Sequence, residues 1–171
     1  RIALETQHNI DAQQLTVLVD KGYHNGREIN TTQQAGINTI VAVPETVNSN
    51  LHGTTPDFVV TKFTYNPVQD TYTCPQNQTL STTGTWHKKT RERDSYIFKK
   101  YRTPACSSCQ VKHLCTGRAH GGREIERSQY AQAVEINAIN YRNNPQLYRK
   151  RQEINEHIFG TIKRQWNLHY T

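Results

Sequence analysis

Leu15-Thr-Val-Leu-Val-Asp20, Asn25-Gly-Arg-Glu28 and Thr39-Ile-Val-Ala-Val43-Pro44 follow one another closely in the chain. The first is a short apolar, β-branched run ending on an acid, the pattern of a buried strand. Asn25 with Glu28 three positions on forms a capping-box pair, so a helix opens there and closes near Gly36. Thr39–Val43 reads as a second buried strand, stopped by Pro44. Strand, helix and strand in this order predict a parallel β-α-β unit, and hence an α/β fold.

Beyond Pro44 the chain changes character. Residues 44–127 are rich in Thr, Asn and Gln. Over Lys62–Thr73, Phe63 and Tyr65 alternate with polar residues and Asn66-Pro67 marks a turn, which predicts a hairpin. Trp86, Tyr96, Phe98 and Tyr101 interleave with basic residues. A structureless loop of this length is improbable inside a compact domain, so the block reads as a β-rich insertion. From Ser128 the pattern is helical to about Arg142. Asn144 then caps a second helix, with Pro145 at its first position and an expected end near Trp166. The expected organisation is a core segment over 1–43, the insertion over 44–127 and C-terminal helices over 128–171.

Hydrophobic residues make up 34% of the 171, below the usual range of about 45–50%. With no Met anywhere, this points to an excerpt of a longer protein. No run approaches the ~18 apolar residues of a membrane span, and no signal-peptide core opens the chain. The net charge of +7 is unevenly spread. Residues 1–85 hold 4 Lys/Arg against 7 Asp/Glu, residues 86–127 hold 11 against 4, and residues 128–171 hold 6 against 3. A basic block of this density attracts polyanions through counterion release, although a solvated surface has the same composition.

All four cysteines, Cys74, Cys106, Cys109 and Cys115, lie in the insertion. Four thiolates, two of them from a C-x2-C pair, can close a tetrahedral structural Zn2+ site and hold together a unit with little core. Disulfides and a redox pair are the competing readings, the first disfavoured without a secretion signal, the second because the pair does not open a helix after a strand. His113 could replace one thiol; His87 and His120 read as surface residues.

Asp20 ends a buried strand, where open α/β sheets place functional groups; strand-end acids also serve as plain turn-formers. On the second C-terminal helix, Leu147, Ile154, Ile158 and Ile162 fall in one apolar stripe. Arg149, Glu156 and Lys163 stack opposite it, an arrangement that suits metal and phosphate, or an exposed ion-pair ladder.

Val19-Asp20-Lys21-Gly22-Tyr23, followed by Glu156-His157-Ile158-Phe159-Gly160-Thr161-Ile162-Lys163-Arg164-Gln165-Trp166, resembles bacterial insertion-sequence transposases with a DDE catalytic domain. The similar branch carries a cysteine-rich insertion of the form Tyr72-Thr73-Cys74-Pro75, Cys106-x-x-Cys109 and Cys115-Thr116. The resemblance implies a partial RNase H-like fold with a zinc-binding insertion. Asp20 maps onto the family's second catalytic acid and Glu156 onto its third; the first lies upstream and nothing here matches it, so the isolated chain is expected to be inactive. It further implies Mg2+ or Mn2+ on Asp20 and Glu156, DNA contacts from Lys163, Arg149, Arg151 and Arg164, and an insertion that clamps DNA. The expected partners are transposon ends and target DNA, with a homo-oligomer forming on DNA in the bacterial cytoplasm. Of the related Tyr-x2-Arg-x3-Glu-x6-Lys signature, Lys163 fits. Arg149 and Gln152 stand where Tyr and Arg are expected, with Tyr148 and Arg151 offset by one. Two other readings are a non-catalytic, zinc-stabilised DNA-binding module and an RNase H-like nuclease without strand transfer.

Overall fold

The computed structural model describes residues 2–9, 14–44, 54–90 and 95–154; Glu156, Lys163 and Arg164 lie outside these. The chain divides into two compact units, one formed by Arg1–Pro44 with Tyr130–Thr171, the other by Glu45–Gln129. The fold is mixed α/β. No described helix is long and apolar enough to cross a membrane.

In the first unit, helix α1 (Ile2–Asn9) precedes strand β1 (Thr16–Val19), helix α2 (Gly26–Gln34) and strand β2 (Asn38–Val41). β1 and β2 pair in parallel, with Leu18 opposite Ile40. Asn25 caps α2, its side chain accepting from the N–H groups of Arg27 and Glu28 at 2.9 and 3.3 Å, which satisfies two otherwise unpaired donors. Gly36 takes φ +74°, the left-handed exit that a glycine allows without strain. Thr39 donates to Thr32 at 2.8 Å, so both buried hydroxyls are paired where α2 meets β2.

Helix α3 (Ala131–Asn143) packs on α2 and β2. Ile29, Val41 and Ala133 form the core of this contact, with Val19 against it. The N–H of Ala42 bonds Val19 of β1 at 3.1 Å, so the polar groups of Val41 point the opposite way. The fully buried side chain of Asn137 meets them there, accepting from the Val41 N–H at 2.8 Å and donating to its C=O at 3.0 Å.

Helix α4 spans 145–154, with Pro145 at its first position and the Tyr148 N–H bonded to the C=O of Asn144. Its rotation differs from the expected stripe: Leu147 and Ile154 are 42% and 51% exposed, while Tyr148 is 8% exposed. The ring of Tyr148 packs edge-on against Tyr141, centroids 5.0 Å apart. An aromatic ring with a polar edge buries more surface than either aliphatic side chain and sets the inward face.

The second unit holds two three-stranded antiparallel sheets. β3 (Thr64–Asn66), β4 (Thr71–Thr73) and β5 (Thr79–Leu80) form one; β6 (His87–Thr90), β7 (Ser95–Tyr101) and β8 (Ile125–Ser128) form the other. A bridge between Ser81 and Arg102 ties them together. Phe63, Tyr72, Leu80, Tyr101 and Ile125 make the core. The expected hairpin is present: Asn66 Oδ1 accepts from the N–H groups of Val68 and Gln69. Asp70 then turns the chain at φ +50°, one of the few non-glycine types that tolerate it. Its carboxylate accepts from the hydroxyls of Tyr65 and Tyr101 at 2.8 and 2.5 Å and from the Lys99 ammonium at 2.6 Å. Ser128, expected to open a helix, instead ends β8, because Phe98 on β7 pairs with it; the helix begins at Ala131.

Candidate functional site

Asp20 follows β1 directly, at the C-terminal end of the parallel pair. Its Oδ1 accepts from the Lys21 N–H at 2.7 Å and caps the 3-10 turn Lys21–Tyr23, so the acid is a turn-former as well as an exposed carboxylate. The Tyr148 hydroxyl approaches the same oxygen at 3.5 Å. Both bonds fall on Oδ1, and a 128-residue separation is closed by this contact.

Burial pushes the Tyr148 hydroxyl above its ordinary pKa; Arg151 opposes this, and Asp20 adds to it. Tyr148 therefore stays protonated and can only donate to the carboxylate. The Arg151 guanidinium lies 5.5 Å from the Tyr148 ring centroid, within cation–π range. Arg149 is exposed on the same helix. Asp20, Tyr148 and Arg151 thus come together, while Arg149 stands apart from them.

The four cysteines converge in the second unit. All line one small cavity of about 30 Å3. Burial raises the Cys115 thiol above its ordinary pKa; the Arg123 charge opposes this, and Cys106, Cys74 and Cys109 add to it. Among the described residues no three Cys, His, Asp or Glu side chains meet the geometry of a formed metal site. Three separate segments of the chain bring the thiols to this cavity. No disulfide joins them. His113 is not among the lining residues, and His87 instead packs its ring 5.6 Å from Phe98.

Three features border this cavity. The Gln78 N–H donates to Cys74 Sγ at 3.4 Å, across a turn in which Asn77 takes φ +57°. Gly122 lies so close to Cys106 that an added Cβ would stand 2.3 Å from the Cys106 Cβ. Arg123 donates to the Thr54 hydroxyl at 3.2 Å and to the Cys115 carbonyl at 3.5 Å, placing a cation beside the sulfurs. Sequence reasoning missed Tyr148's partnership, Gly122 and Arg123. The offset Tyr-x2-Arg spacing and the Gly121-Gly122 pair were the available signals.

A family profile described as a transposase DDE domain matches residues 73–171. No curated protein and no solved structure gives a significant match. The matched span covers more than half of the sequence, from the first cysteine's neighbour through both C-terminal helices, and the chain belongs to the transposase DDE domain family.

Proposed function

We propose that this chain forms part of the RNase H-like catalytic core of a DNA transposase, with Asp20 and Glu156 as two of its metal-binding carboxylates. The observation that carries this reading is the Tyr148–Asp20 contact. It seats the helix leading to Glu156 against the strand-end acid. Glu156 follows Tyr148 by eight positions in the sequence; in this reading the two acids, remote in sequence, act at one site.

A bound pair of Mg2+ or Mn2+ ions would activate the attacking water or 3′-hydroxyl and stabilise the leaving oxygen of the phosphodiester. The donor set fits a hard cation: Asp20 is an exposed carboxylate whose two hydrogen bonds fall on one oxygen. In this reading Tyr148 and the Lys21 N–H fix the carboxylate's orientation, while Arg149, Arg151, Lys163 and Arg164 hold DNA phosphates.

The second unit is proposed to be a zinc-stabilised insertion, with Cys74, Cys106, Cys109 and Cys115 as ligands. Its support is the shared cavity, the N–H donated to Cys74 and the adjoining Arg123 cation. The role is structural, since four thiolates leave no open coordination position.

The test is Mg2+-dependent reaction of the full-length protein on duplex DNA carrying the element's ends. Cleaved and strand-transferred products, both lost in Asp20→Asn, are expected. Cleavage without joined products would favour a nuclease, and metal-independent binding with no cleavage would favour a DNA-binding module.

A further inference from the structure

Glu124 occupies an unusual place in the second unit. Its side chain is only 6% exposed, yet three cations converge on it: Lys100 at 3.1 Å, Arg118 at 3.8 Å, and Arg102 in a close pair. Arg102 comes from the residue after β7 and Arg118 from the loop before β8. One carboxylate against three cations leaves a local charge of +2. The Arg102 and Arg118 side chains are 65% and 56% exposed. A guanidinium carries five N–H donors in a fixed plane, so a single carboxylate edge cannot use those of both arginines. Burial pushes the Glu124 carboxyl up, but the hydrogen bonds and charges of Lys100 and Arg102 outweigh it and hold it below the usual range. It is therefore ionised, and the cluster is set at neutral pH.

We propose that Glu124 gathers Lys100, Arg102 and Arg118 into a phosphate-binding patch through which the insertion docks on the backbone of duplex DNA. Charge complementarity commits the patch to a polyanion, and the spread of exposed guanidinia over a surface suits consecutive phosphates. The carboxylate's part is to pre-orient the arginines, so that less side-chain freedom is lost on binding. The inference rests on DNA being the partner, as proposed above.

The experiment is fluorescence anisotropy of the 171-residue chain on a labelled mixed-sequence duplex across a salt series. Arg102→Gln with Arg118→Gln should weaken binding about tenfold or more and lower the salt slope by about two. Lys62→Gln with Lys88→Gln removes the same charge from two other exposed positions and should weaken it less than about threefold. Glu124→Gln removes a negative charge, so a purely net-charge effect would tighten binding; the organised patch predicts weaker binding. Equal losses in the two double variants, or tighter binding by Glu124→Gln, overturn the proposal while leaving DNA as the partner. A wild-type chain that binds no duplex at low salt overturns both.

Discussion

Asn137 of α3 completes the hydrogen bonding of Val41 on β2, accepting from its N–H and donating to its C=O at 2.8 and 3.0 Å. A side-chain amide thus stands where a neighbouring strand's peptide group would be. It fixes the height and rotation of α3 against the sheet, and α3 in turn precedes the helix that bears Tyr148.

Replacing Asn137 with Leu should therefore strand two buried backbone groups and lower stability by about 2–4 kcal/mol. Urea unfolding measures the loss, and hydrogen exchange at the Val41 amide should accelerate with it. A loss under about 0.5 kcal/mol would show that water or a shift of α3 replaces the amide.

Asp70 predicts an acid limit to the stability of the insertion. The hydrogen bond from Lys99, then that from Tyr101, lowers its carboxyl to about 2, against burial, which raises it. The folded-state pKa is depressed, so this contribution is complete above the unfolded value of about 4 and is lost as pH falls through about 2. Asp70→Asn keeps the left-handed turn but removes the charge. It should lower neutral-pH stability by about 1–2 kcal/mol and flatten the acid side of the stability–pH profile. An unchanged profile would mean that the carboxylate contributes nothing to folding.

The cysteine cavity predicts about one zinc per chain in the purified protein, lost together with cooperative unfolding of the insertion on strong chelation. Gly122→Ala should weaken zinc retention, because the new Cβ would collide with Cys106, at a cost of about 1–3 kcal/mol. Gly22→Ala, where nothing lies within 4 Å, should leave retention unchanged. Metal-free, folded protein with four titratable thiols would rule the site out.

The parallel unit was legible because each of its signals is local: two apolar runs, an Asn cap and a glycine exit. The hairpin at Asn66–Asp70 was legible for the same reason. β8 was not, since Ile125-Glu-Arg-Ser128 is mostly polar and becomes a strand only by pairing with β7. Helix α4 shows the limit of periodicity. Counting apolar residues favoured Leu147 and Ile154, whereas the buried position is Tyr148, whose environment is made by Tyr141 and Asp20. Asn137 gave no signal either, because a mid-helix Asn reads as weak helix chemistry until its strand partner is known. For the candidate site, Asp20's position at a strand end and the four thiols could be read from the chain. The Glu124 cluster could not, because it depends on which strand faces which loop.

The pairing of Asp20 with Glu156 is tested by comparing Glu156→Gln with Glu153→Gln in the full-length protein, assayed for Mg2+-dependent cleavage of element-end DNA. Glu153 is an exposed acid on the same stretch, so its loss should be close to neutral. Loss of the Glu156 carboxylate should abolish cleavage while folding and DNA binding persist. Lys163→Ala should instead weaken end binding and reduce the salt slope by about one. Full cleavage by Glu156→Gln, or its abolition by Glu153→Gln alone, would contradict the pairing of Asp20 with Glu156.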